Sequence, residues 1–176
     1  MSDIMEATGL TKGGIYGNFK REGLNKKGVK EEIALAAFEY NVNAIEREIA
    51  MRTNVIDNTA DKLKAVIFYY KEKVLNYPIE GGCPFMNTAI DADENVPNLL
   101  KQVKEKMALW HDRVVHTVNK GIRKKELSAD VIADEFAIYY IGTLEGGILL
   151  ARLFKDNAKF EAMASALLEK IEQIKV

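Results

Sequence analysis

Ser2-Asp3-Ile4-Met5-Glu6-Ala7-Thr8-Gly9-Leu10-Thr11-Lys12-Gly13-Gly14-Ile15-Tyr16-Gly17-Asn18-Phe19 is the stretch from which the rest of the chain is read. Ser2 or Asp3 can cap a short helix through Ala7. Gly9 is free to take the left-handed conformation that ends it, and Thr11 can cap a second helix directly afterwards. The pattern predicts a helix-turn-helix, with Leu10 as the apolar plug and Ile4, Ala7, Ile15 and Phe19 turned inward on one small core. Thr11, Lys12, Gly13, Tyr16, Gly17 and Asn18 are left on the outer face. Three glycines inside the second helix each cost about 1 kcal/mol relative to alanine. Close approach of that backbone to another molecule is a physical reason to carry them.

These residues also resemble a known signature. Thr8-Gly-Leu-Thr-Lys-Gly-Gly-Ile-Tyr-Gly-Asn-Phe19 is similar to the helix-turn-helix of the TetR family of bacterial transcriptional regulators, where a Gly, a Ser or Thr, a Lys, an apolar residue, a Tyr and a Phe recur in this order. The resemblance implies that the second helix enters the major groove of double-stranded operator DNA. Thr11, Lys12, Gly13, Gly14, Tyr16, Gly17, Asn18 and Lys20 would then lie near base edges or phosphates.

The sequence departs from the family pattern twice. TetR-like domains open with a longer first helix that packs across the helix-turn-helix, and here the motif follows Met1 at once. The expectation is a DNA-binding domain incomplete at its N-terminus, either because this start is not the natural one or because one wall is missing. After Phe19 the family soon reaches a Lys-Glu-Glu-like helix start, whereas Lys30-Glu31-Glu32 comes eleven positions later. The intervening segment around Arg21–Gly28 looks inserted. Being basic and bounded by Gly23 and Gly28, it reads as a loop at the DNA-facing end.

Charge is distributed unevenly along the 176 residues. The net charge is −1, yet residues 9–30 hold six basic side chains against Glu22 alone, a local +5 that leaves −6 elsewhere. That asymmetry suits a basic end facing phosphates and an acidic body that does not. A single cysteine, Cys83, allows no intramolecular disulfide and agrees with a reducing compartment. The first residues lack a basic-then-apolar export signal, so the expected location is cytoplasmic.

Beyond the motif the periodicity is helical throughout, predicting an all-α chain with a DNA-binding domain at 1–45 and a ligand-binding and dimerisation domain at 46–176. A helix over 30–52 is marked by Leu35, Phe38, Val42, Ile45 and Ile49 and would connect the two. Thr59 is the expected cap of the next helix, which Pro78 stops. Gly81-Gly82-Cys83-Pro84 bends the chain into a short helix near 87–92. Pro97 opens a long helix to about Lys125, Ser128 is the expected cap of one reaching about Phe154, and Asp156 or Asn157 caps the last.

Between the helices at 60–77, 98–125 and 128–145, the side chains of Ile67, Phe68, Tyr70, Phe85, Met86, Met107, Trp110, His111, Val114, Tyr139 and Tyr140 suggest a cavity for an apolar, aromatic or lipophilic small molecule. Ordinary core packing is the competing account of each. No metal-ligand spacing, phosphate loop or nucleophile–base pairing occurs, so no cofactor is expected and an enzyme is disfavoured. Cys83 and His111 are the only weak candidates for reactivity. His111 and His116 fall on different sides of one helix and do not suit a shared metal.

The segment 136–153 is apolar nearly all round, interrupted by Glu145 and three glycines, and reads as buried in protein rather than lipid. One monomer covers only one of its faces. Its Leu-Glu-Gly-Gly-Ile-Leu-Leu-Ala-Arg run, ending at Arg152, resembles the penultimate helix of TetR-like regulators, whose last two helices pair between subunits as a four-helix bundle. That implies a homodimer through Gly142, Gly146, Leu149, Leu153, Phe160, Met163, Leu167 and Ile171. The functional expectation is a ligand-responsive DNA-binding regulator, a repressor released by a small apolar molecule. A helical ligand- or partner-binding dimer that no longer binds DNA stands as the alternative.

Overall fold

A computed structural model describes residues 1–19, 26–74, 82–92 and 96–176. The described residues form α-helices and no strand, in the order α1 (Ser2–Thr8), α2 (Lys12–Phe19), α3 (Lys26–Thr53), α4 (Thr59–Lys73), α5 (Pro84–Ala92), α6 (Pro97–Arg123), α7 (Ala133–Phe154) and α8 (Asn157–Gln173). The predicted all-α class is what the chain adopts.

Local signals set most of the helix ends. Gly9 takes φ 67° and its N–H donates to the Met5 carbonyl, closing α1 in the left-handed conformation. Thr11 caps α2, its Oγ1 accepting the Gly14 N–H at 3.1 Å. Met1, rather than Ser2 or Asp3, holds the capping position of α1. Together α1 and α2 bury only Ile15 fully, and Leu10, expected as the plug, is 44% exposed because two such short helices enclose little volume.

Three other expectations are corrected. The connecting helix begins at Lys26 instead of Lys30, so the end of the basic segment expected as a loop is helical, while 20–25 lie outside the described residues. Asn58, not Thr59, caps α4 through the Asp61 N–H at 3.0 Å. Thr59 instead turns inward, and its N–H and hydroxyl both donate to Glu126 Oε2, at 2.7 and 2.6 Å. Ser128 does not cap α7, which starts five residues later at Ala133. The chain at Glu126–Ser128 is tied to the C-terminus instead, the Ser128 N–H donating to Ile174 O and the Val176 N–H to Glu126 O.

The body is a layered bundle in which α7 packs on both α6 and α8, α4 lies against α6 and α8, and α3 reaches α4, α5 and α6. Its core holds the fully buried Tyr69, Tyr70, Tyr140, Phe160, Ile67, Leu144, Ile148 and Leu167. The Tyr140 hydroxyl donates to the Leu63 carbonyl at 2.6 Å, which satisfies the polar end of a side chain with no exposure. Helix α7 is long and apolar enough to cross a membrane by length and composition alone. In the fold, more than half of its most apolar window is covered by the rest of the chain.

Candidate DNA-binding face and ligand cavity

The outer face of α2 carries Lys12, Gly13, Gly17 and Asn18 exposed, with Thr11 exposed at its cap. Gly14 and Tyr16 are half-buried, so Tyr16 lies at the edge of that face rather than in its centre. The Asn18 amide donates back to the Gly14 carbonyl at 3.1 Å. A Cβ built on Gly17 would meet nothing within 4 Å, and one on Gly13 only the Thr11 hydroxyl oxygen at 3.9 Å. Packing among the described residues therefore gives no reason for glycine at either position. Lys20 lies outside the described residues.

An aromatic cavity of about 440 Å³ opens in the body. Of the residues expected there, Tyr70, Phe85, Trp110, Val114 and Tyr140 line it. The Trp110 ring stands 6.1 Å from that of Tyr70 and 5.6 Å from that of Phe85, forming an aromatic wall. Val42, Ile45 and Ile49 of α3 form another wall. Sequence reading placed the site between the later helices and missed α3, although the broad apolar stripe of that helix was the available signal. At the rim, Arg113 donates to Glu46 Oε1 at 2.8 Å, linking α6 to α3, and Lys106 donates to Asn43 at 3.1 Å.

The remaining expected ligand residues lie elsewhere. Met86 and Met107 line a second cavity, of about 450 Å³, which shares Phe85 with the first. Ile67 is fully buried core, while Phe68 and Tyr139 are 45% and 44% exposed. Consecutive positions on a helix point to different sides, so the apolar 66–70 run cannot all face one cavity. The imidazole of His111 sits beside the Asp134 and Asp112 carboxylates, at 3.3 and 3.6 Å, and lines neither cavity.

Cys83 follows Gly82, whose φ of 89° makes the bend. Its thiol is buried and donates to Glu145 Oε1 at 2.9 Å. Burial, followed by the adjacent Glu145, pushes the thiol well above its usual range, the opposite of what a reactive thiolate needs. Among the described residues no group of three His, Cys, Asp or Glu side chains could hold a metal ion.

The residues expected at a dimer interface divide into two sets. Leu149 and Leu153 are 47% and 69% exposed, and a Cβ on Gly142 or Gly146 would meet nothing within 4 Å. With Ile138 they form an apolar stripe along the open side of α7. Phe160, Leu167 and Ile171, by contrast, are fully buried in the chain's own core, because α8 turns its apolar stripe back onto α7 and α4. Met163 packs at Gly147, where a Cβ would lie 3.1 Å from its own. The close helix approach within the chain thus uses Gly147 rather than Gly142 or Gly146.

A helix-turn-helix joined by one long helix to a cavity-bearing bundle defines a one-chain helical regulator. The family model described as tetracyclin repressor-like, C-terminal domain, matches residues 59–167. A TetR-family transcriptional regulator from Cytophaga hutchinsonii is 31% identical with a TM-score of 0.84, the match covering 100% of this chain and 84% of that one. A TetR transcriptional regulator from Chloroflexus aurantiacus is 34% identical with a TM-score of 0.87, covering 99% and 84%. One from Agrobacterium tumefaciens shares the fold at 21% identity and a TM-score of 0.80, covering 99% and 86%. No curated protein matches the sequence. The chain belongs to the TetR family of transcriptional regulators.

Proposed function

We propose that this transcriptional regulator acts in the cytoplasm as a homodimeric repressor that binds operator DNA through α2 and releases it when a small apolar or aromatic molecule fills the aromatic cavity. Residues 1–45 are the DNA-binding part and 46–176 the ligand-binding and dimerisation part. The observation that carries the reading is α3: a single 28-residue helix that packs against α2 near one end and supplies Val42, Ile45 and Ile49 to the cavity wall near the other. A ligand that favours one tilt of α3 changes the placement of α2, and the Arg113–Glu46 pair couples α6 to the same motion. By reciprocity, DNA then changes ligand affinity by the same factor.

The exposed stripe of Ile138, Leu149 and Leu153 supports pairing through α7. Trp110, the single tryptophan, stands in the cavity wall and reports occupancy. Its fluorescence is expected to change saturably with at least one member of a panel of aromatic and acyl compounds, and that compound is expected to release bound promoter DNA. A compound that quenches Trp110 fully yet leaves DNA affinity unchanged would overturn the coupling. No response from any member would overturn the inducer site.

A further inference from the structure

The second cavity contains a group that its apolar surroundings do not explain. It lies between α5, α6 and α7, with Phe85, Met86, Leu100 and Met107 in its walls and the exposed Lys104 at its edge. Glu145 forms part of the same wall and is only 9% exposed. One carboxyl oxygen accepts the Cys83 thiol, a weak donor. The other, Oε2, is buried and has no hydrogen-bond partner among the described residues. An unpartnered carboxyl oxygen in an apolar site is costly, and a leucine would fill much the same volume without that penalty.

We infer that this cavity is a binding site for a monocationic amphiphile, an aryl or alkyl ammonium ion whose nitrogen pairs with Glu145 and whose apolar body lies against Phe85, Met86 and Met107. An ammonium supplies what Oε2 lacks, a charged donor, and forms a charge-assisted hydrogen bond in mainly apolar surroundings. The aromatic ring of Phe85 and the polarisable thioethers of Met86 and Met107 favour a cation over a neutral group of the same size. Lys104 at the edge selects against a second positive charge. The cavity volume, about 450 Å³, accepts a bicyclic aromatic amine. This site adjoins the aromatic cavity at Phe85 but is otherwise lined by different residues, and its occupancy does not depend on the chain binding DNA.

The test is calorimetry on the full chain with 2-(1-naphthyl)ethylamine and its neutral counterpart 2-(1-naphthyl)ethanol. The amine is expected to bind at least about tenfold more tightly than the alcohol, equivalent to about 1.4 kcal/mol. In Glu145→Gln that preference should fall to less than about twofold, with alcohol binding retained, one charge-assisted bond having been lost. Met107→Trp should fill the cavity and remove amine binding. Leu109→Trp, which obstructs the aromatic cavity at a half-exposed position, should leave it unchanged. Equal affinities for amine and alcohol in the unaltered chain would overturn the inference, even if Glu145→Gln failed to fold. A preference that survives in a folded Glu145→Gln, or that disappears in Leu109→Trp, would overturn it as well.

Discussion

Gly17 stands in the last turn of α2 with open space among the described residues where a side chain would be, so the fold and the proposed function make opposite demands on it. Gly17→Ala is expected to stabilise the chain by about 0.5–1 kcal/mol, read as an upward shift in a denaturation midpoint. The same change is expected to weaken promoter binding by about tenfold, equivalent to about 1.4 kcal/mol. Stabilisation without loss of binding would remove close DNA approach as the reason for this glycine. Glu126 shows a different residue-level dependence. The Lys124 ammonium first, and then the Thr59 hydroxyl and N–H, hold its carboxyl down at about 2, below the 4.5 of an ordinary glutamate. A lowered folded pKa contributes stability that is fully present above 4.5 and is lost as pH falls from 4.5 towards 2. Thermal melts of the unaltered chain and Glu126→Gln should therefore differ from pH 5 to 8 and converge as pH falls below about 4.5. A gap of constant size across that range would contradict the assignment. At this scale, what the sequence disclosed was whatever neighbours a few positions apart determine. Gly9 and Thr11 were legible because their partners, Met5 and Gly14, are local. Thr59 was read as a cap because the carboxylate that draws it inward lies 67 positions away.

At the scale of the element, periodicity located the long helices of the body but not what covers them. The family resemblance implied a partner subunit against Phe160, Leu167 and Ile171 of α8, and the chain itself covers them with α7 and α4. The stripe on α3 suggested an ordinary connecting helix, and its Val42, Ile45 and Ile49 line the aromatic cavity. In both cases the pattern shows which side is apolar, whereas the identity of the covering element depends on tertiary arrangement. Helix α7 is apolar all round and so has a side left over. Completing the burial of the half-exposed Ile138, Leu149, Leu153 and Phe154, each counted twice across a two-fold axis, contributes about 10 kcal/mol. That is comparable to the about 4–15 kcal/mol cost of association. Gly146 faces the open side of α7, where a Cβ has nothing within 4 Å among the described residues, so Gly146→Phe is expected to leave the chain's own packing intact. It is expected to raise the dimer dissociation constant at least about hundredfold, about 2.7 kcal/mol, with an unchanged helical spectrum. Sedimentation showing the same dimer in that variant would move the interface away from α7.

On the scale of the whole molecule, the local +5 over residues 9–30 and the −6 over the remainder separate a basic end from an acidic body. The family membership gives the broad class, transcriptional regulator, and on the proposed reading the single α3 helix lets a cavity in the body and α2 at the other end share one equilibrium. Pairing through α7 would, on the same reading, set the distance between two α2 helices, which is the quantity a ligand would alter. The measurement that tests this most directly is fluorescence anisotropy of a labelled duplex from the promoter beside the chain's own gene, titrated with the full chain across a range of salt concentrations. The account predicts two chains per duplex, at least about hundredfold preference over a scrambled duplex, and an affinity that falls steeply with salt as phosphate contacts are lost. Equal affinity for promoter and scrambled duplexes, or no binding at low salt, would contradict it.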